Sequence, residues 1–132
     1  MKGFKNDIEK SALANTNFRA VLYTAKNMQL VLMSLKPGEE IGTEVHKDSD
    51  QFFRFESGNG KCIVDDTEYL IKGGDVVIVP LGANHNVINT GSSEDLKMYT
   101  IYAKPNHQDG IIRKTKKEAD NNEEEFDGKT TE

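Results

Sequence analysis

The sequence predicts an all-β fold, an antiparallel sandwich or barrel. Eight or so short runs rich in β-forming residues recur at spacings of roughly 8 to 12 residues. Glycine and other turn residues sit at the corners between them. No stretch in the middle of the chain has the apolar period of a long helix.

In chain order, RAVLYT (19–24) and MQLVLMSL (28–35) come first, joined by AKN as a hairpin connection. Lys36-Pro37-Gly38 breaks the run. EVHKDSD leads into QFFRFES (51–57), which Gly58-Asn59-Gly60 closes. KCIVDD and EYLIK flank a turn at Asp66-Thr67, and Gly73-Gly74 introduces DVVIVP (75–80). HNVINT (85–90) and LKMYTIYA (96–103) complete the series. DIEKSALAN, near the N-terminus, reads either as a short helix or as a segment lying across the barrel.

These runs divide the chain into an N-terminal extension (1–18), one barrel domain (19–104) and a C-terminal extension (105–132). A length of 132 residues suits one packed core. Beyond Asn106 the hydrophobic alternation fades, and KTKKEADNNEEEFDGKTTE offers little apolar surface against the entropy of ordering. This acidic tail is expected to be largely disordered and solubilising, with at most a helical turn or two in KTKKEAD. No longer repeat points to a solenoid.

Composition excludes several function classes. A formal net charge of −5 argues against a general affinity for nucleic acid. No apolar run approaches the roughly 18 residues of a membrane span, and the first residues carry no signal-peptide pattern. The single cysteine, Cys62, excludes an internal disulfide, fits a cytoplasmic setting, and reads as a buried strand thiol.

Chemistry gathers at two stretches. In EVHKDSDQ (44–51), Glu44 and His46 are two residues apart. On a strand they project from the same face, roughly 6.6 Å apart along it, and an antiparallel neighbour would bring Gln51 back beside His46. Gln51 shares its face with Phe53 and Phe55, while Phe52 and Arg54 point the other way. Taken alone this is a weak signal for a metal site. The second stretch, GDVVIVPLGANHNVIN (74–89), presents Gly74, Pro80, Gly82, His85 and Asn89 in fixed order.

That order resembles the second motif of the cupin superfamily, G-x5-P-x-G-x2-H-x3-N, at every fixed position. The first cupin motif, G-x5-H-x-H-x3,4-E-x6-G, aligns with Gly38, Glu44, His46, Gln51 and Gly58. Its spacings hold, but Glu44 stands where the family has histidine and Gln51 where it has glutamate. The resemblance covers residues 19 to 103 and implies a cupin-type jelly-roll β-barrel, or double-stranded β-helix. It implies that Glu44, His46, Gln51 and His85 are metal ligands, two imidazoles with one carboxylate and one amide oxygen. Such donors suit one divalent ion, Zn, Fe, Mn, Co or Ni. The bland alternative is a hydrogen-bonded polar cluster that has lost its metal. The glycines free backbone conformations at strand corners, Pro80 stiffens a strand end, and Asn89 reads as a structural turn residue.

Three function classes follow. Single-domain cupins of this kind resemble the metal-binding part of mannose-6-phosphate isomerases, whose donors are also glutamine, glutamate and two histidines. The first expectation is therefore a metal-dependent isomerase acting on a small molecule such as a sugar phosphate. The second is a non-haem metal-dependent oxygenase or lyase using Glu44, His46 and His85. The third is a non-catalytic small-molecule-binding barrel.

Phe53, Phe55 and Tyr99 are the candidate substrate contacts, with core packing the default for Tyr23, Tyr99 and Tyr102. His107 reads as a solvent-exposed loop residue. Arg19 and Arg54 could hold an anion or serve an ordinary surface role. Glu40 and Glu56 would be bases only if they faced the cavity. Phe52 and Arg54, on the outer sheet face, point to a homodimer.

Overall fold

A computed structural model describes all 132 residues. The chain runs α1 (Ile8–Ala14), β1 (Arg19–Thr24), β2 (Gln29–Leu35), β3 (Glu44–Val45), β4 (Asp50–Ser57) and β5 (Asn59–Val64). It continues through β6 (Thr67–Lys72), β7 (Val76–Val79), β8 (Asn84–Asn89), β9 (Leu96–Ala103), β10 (Ile112–Arg113) and α2 (Lys116–Asn121). Two antiparallel sheets form, one in the order β10-β1-β2-β9-β4-β7 and the other β3-β8-β5-β6. The expected all-β jelly roll is what the chain adopts, and β1 and β9 coincide with the predicted runs RAVLYT and LKMYTIYA. No helix is long and apolar enough to cross a membrane.

The alternation of side chains along each strand places the core. On β9, Leu96, Met98, Thr100 and Tyr102 are buried, while Lys97, Tyr99 and Ile101 are only partly covered. β4 follows the same rule with Gln51, Phe53 and Phe55 inward. These faces join Val31, Met33, Leu35, Cys62, Val79 and Val87 in one cluster between the sheets. β2 departs from simple alternation and is buried on both faces, because α1 covers its outer side. There Ala12 of the helix packs with Ala20 and Leu32, and Ile8, Leu22 and Tyr99 flank them. Asp7 caps α1 by accepting from the Lys10 amide.

Two motif glycines are required by conformation. Gly74 (φ 99°) and Gly82 (φ 85°) occupy the left-handed region at the two ends of β7. Pro80 follows the last ladder residue, Val79, where its missing N–H costs nothing. Asn89 is fully buried and donates to the carbonyls of Leu35 and Glu94 while accepting from the Gly91 amide.

The expectation of a C-terminal segment with little structure is corrected. β10 pairs with the edge of β1, matching Arg113 to Arg19 and Ile112 to Ala20. Thr115 caps α2 by accepting from the Glu118 amide, and Ala119 of that helix is buried. Farther on, the Thr131 amide donates to the Thr24 carbonyl at 2.9 Å. The tail is fixed by backbone pairing and a few buried groups, a mechanism that needs little apolar surface of its own.

Candidate metal centre

β3 is short, but its register with β8 makes Glu44 and His85 direct cross-strand partners. His46 follows immediately, and its carbonyl accepts from the Gly82 amide at 2.8 Å, tying it to the turn before β8. The Glu44 Oε2 atom lies 3.2 Å from His46 Nε2 and 3.9 Å from His85 Nε2. The two imidazole rings are 5.1 Å apart between centroids. One ligand atom from each of the three residues lies within 4.8 Å of the others.

The unpartnered atoms at this centre fit a cation. His46 Nε2 and His85 Nε2 are both buried and make no hydrogen bond, since even the close approach of Glu44 to His46 lacks hydrogen-bond alignment. Leaving buried acceptors unmet costs free energy that a metal ion would offset. The His85 Nδ1 atom lies 3.3 Å from the Ala83 carbonyl. Donation along that contact fixes the proton on Nδ1 and leaves Nε2 as the free lone pair. Burial lowers the His85 pKa, with a further push from His46, against the Ala83 hydrogen bond and Glu44, which raise it. The neutral form of the ring, the one that can ligate, is favoured.

Gln51 reaches the interior by a different route from the one its sequence position predicts. It does not return beside His46 as a neighbouring strand, because β4 pairs with β7 and β9 while β3 lies in the other sheet. Alternation fixes the face a residue points to, and leaves open which strand it meets. Gln51 stands opposite Tyr102 on β9, and the Tyr102 ring meets His46 edge-on at 5.4 Å. Its amide nitrogen donates to Thr100 Oγ1 at 2.9 Å, and its buried oxygen has no partner. That oxygen is the fourth candidate donor.

The substrate contacts expected at Phe53, Phe55 and Tyr99 need correction. Phe53 and Phe55 stack at 6.0 Å with no exposed surface, and Phe53 lies 6.3 Å from His85, so both are packing beneath the centre. Tyr99 has the opposite parity to Thr100 and Tyr102. It packs under α1 and 6.3 Å from Phe52, on the outside of the sheet. His107 is likewise not solvent-exposed: it is 7% accessible, and its amide and carbonyl both bond the buried Gln29 side chain. Its Nε2 lies 3.2 Å from the Tyr102 hydroxyl. Burial, with help from Arg19 and His46, lowers the His107 pKa to about 3, and burial raises that of Tyr102. Glu56 faces Arg54 at 3.3 Å. Glu40 accepts from Asn86 at 3.3 Å.

Gln29 and Thr100 escaped the sequence reading, and Tyr102, expected to pack in the core and found buried there, also borders His46. The available signal was a polar residue at inward parity within an apolar strand: Gln29 shares its face with Val31 and Met33, and Thr100 with Leu96 and Met98.

Two cavities open beside His46. One, of about 290 Å³, is lined by Arg19, Glu44, His46, His107 and the C-terminal residues Asp120 and Glu123. The other, of about 630 Å³, carries Lys26, Lys47 and Lys104 on its wall, with Phe126 from the tail. The centre therefore combines a carboxylate and two imidazoles on one side with cavity space on another.

Comparison with known proteins bears on the fold and the family. A family model described as a cupin domain matches residues 31–102. The uncharacterized protein YrkC of Bacillus subtilis is 41% identical over 132 residues, covering 89% of this chain and 66% of that protein. The uncharacterized protein L612 of Acanthamoeba polyphaga mimivirus is 38% identical over 109 residues, covering 80% of this chain and 68% of that one. The chain thus spans about two thirds of the length of these curated relatives. The crystal structure of BH2720 from Bacillus halodurans has a TM-score of 0.89 at 35% identity, covering 92% of this chain and 96% of that chain.

Proposed function

The chain belongs to the cupin family, and on that premise we propose that it is a divalent-metal enzyme of the oxygenase or lyase type acting on a small molecule. One observation carries the reading: the ligand atoms of Glu44, His46 and His85 lie within 4.8 Å of one another beside an open cavity. Two histidines and one carboxylate are the donor set of non-haem iron oxygenases. The bound ion would supply Lewis acidity toward a substrate oxygen.

The protein's own groups do the rest. Glu44 supplies the negative charge, Ala83 orients His85, and Thr100 holds the Gln51 amide so that its oxygen is left free. Tyr102 and His107 form a neutral hydrogen-bonded pair against His46, which keeps that wall free of competing charge.

Isomerisation of a sugar phosphate is the second reading. It draws support from the amide oxygen of Gln51 as a fourth donor and from Lys26, Lys47 and Lys104, which suit a phosphate. The lack of a free base counts against it, since Glu56 is paired with Arg54 and Glu40 with Asn86. A cytoplasmic setting and pairing as a homodimer complete the proposal, the latter supported by the apolar outer face of β7.

Elemental analysis of protein purified without chelator, followed by oxygen uptake with the iron-loaded form and a panel of small metabolites, tests the reading. Roughly one iron per chain, with uptake abolished in His46→Ala, is the expected result. Aldose–ketose interconversion by the zinc- or manganese-loaded protein would favour the second reading. Failure to bind any divalent ion would remove both.

A further inference from the structure

Three arginines occur in the chain, and two of them are paired. Arg54 faces Glu56 and Arg113 pairs with Glu124. The Nε atoms of all three are buried without a hydrogen bond, but Arg19 alone also has no carboxylate partner and donates no side-chain hydrogen bond. A guanidinium stays charged at any physiological pH, so removing part of it from water without a counter-group is unfavourable. Such an arrangement has a physical rationale if the partner is a ligand.

The position of Arg19 favours that explanation. It opens β1 and lines the cavity of about 290 Å³ that also contains Glu44 and His46. Its guanidinium carbon lies 5.4 Å from the Phe18 ring centroid, a contact that steadies the fork. The charge is felt within the barrel, where it adds to the lowering of the His107 pKa and partly offsets the rise that burial gives Tyr102.

Acidic residues on the facing wall do not claim it. Asp120 is held by Lys116 at 2.9 Å, Glu124 is taken by Arg113, and Glu123 is exposed. No lysine lines this cavity, so the only permanent cation available to a ligand there is Arg19.

We propose that Arg19 anchors the carboxylate of a small acid whose remaining oxygens reach the Glu44–His46–His85 centre. This assignment rests on the metal-enzyme reading and names the substrate class for it. A planar guanidinium offers two parallel donors that match the two oxygens of a carboxylate. A phosphate would be served better by the three lysines of the neighbouring cavity.

The test uses Co(II), whose visible absorption reports its coordination. Uptake is measured first, in the wild type and in Arg19→Ala, Arg19→Gln and Arg19→Lys. Malonate, pyruvate and inorganic phosphate are then titrated separately, following the cobalt spectrum and the Arg19 Nε–Hε NMR signal. The expected result is a saturable response to malonate or pyruvate in the wild type. Arg19→Ala should take up cobalt normally yet need roughly tenfold or more of the acid, with Arg19→Lys in between.

Equal responses in wild type and Arg19→Ala would overturn the assignment, as would a response to phosphate alone or no response to any anion. If Arg19→Ala does not fold, the glutamine and lysine variants carry the comparison. If the wild type takes up no cobalt, the metal reading fails on its own. Malonate titration of the metal-free protein then decides the arginine: a saturable shift of the Nε–Hε signal supports the anchor, and an unmoved signal overturns it.

Discussion

Glu44 and His85 face each other directly across the β3–β8 ladder, and their side chains end 3.9 Å apart. Backbone register, set by hydrogen bonds between two strands, thus brings a carboxylate from the first motif to an imidazole from the second. The charge of this pair can be changed without changing its shape. Glu44→Gln keeps the volume and removes the negative ligand, so divalent-metal affinity should drop by about a hundredfold or more. At a metal concentration of about 100 times the wild-type Kd, binding stabilises the wild type by about 2.7 kcal/mol. The variant should lose nearly all of that. Calorimetric melting with and without metal checks this, and an equal metal-induced rise in Tm would remove Glu44 from the ligand set.

Thr100 orients Gln51 by accepting its amide hydrogen at 2.9 Å. Thr100→Val removes the acceptor while conserving shape. Supporting groups of this kind typically change metal affinity by about 10- to 100-fold, and an unmet buried donor costs about 1–3 kcal/mol. Competition with a chromophoric chelator measures the first effect and urea melting the second. A loss of stability with unchanged metal affinity would mean that Gln51 is structural only.

The acid side of the stability curve should reflect His107. The unfolded chain takes up that proton from about pH 6.5 downward, whereas the folded ring resists it to about pH 3. Between those values the unfolded state binds more protons, so lowering the pH favours unfolding by up to about 1.4 kcal/mol per pH unit. Above pH 6.5 this effect vanishes. His107→Asn should flatten the fall in stability between pH 6 and about pH 4 relative to wild type. Parallel curves for the two proteins would mean that the ring is accessible to protons in the folded state.

Cys62 is fully buried, and burial raises its pKa to about 11. Only the thiolate reacts, so at pH 8 the reactive fraction is on the order of one in a thousand even before access is considered. Iodoacetamide should leave the native protein unmodified for hours and label it rapidly in urea. Fast native labelling would show that β5 opens readily.

β7 is an edge strand whose outer face exposes Val76 and Ile78, opposite Arg54 and Phe52 of β4. Tyr69 and Leu70 of β6 line the same groove. An apolar edge of this kind needs covering, and a second copy of the chain is the proposed cover. Sedimentation should give a dimer at micromolar concentration and a monomer for Ile78→Lys. A wild-type monomer would refute the pairing.

The strands and their faces were legible because alternation reports burial one residue at a time. Glu44 and His46 were legible because fixed spacings reflect the backbone corners at Gly38 and Gly58, and His85 because of those at Gly74 and Gly82. What could not be read were relations between separate parts of the chain. Gln51 arrives from the opposite sheet, and no local pattern specifies that crossing. The tail was obscured by its composition, since its order comes from pairing with β1 and from hydrogen bonds to Gln29, neither of which leaves an apolar trace. One local signal did exist there, the Thr115-x-x-Glu118 spacing at the start of α2.

The cavity beside Arg19 has walls of two different origins. Glu44, His46 and Arg19 come from the barrel, while Ala119, Asp120 and Glu123 come from the segment that returns across its mouth. Exchange of that returning segment could retune which molecules enter while the chemistry underneath stays the same. Relatives that share this barrel but end in a different sequence would then be expected to differ in diet before they differ in reaction.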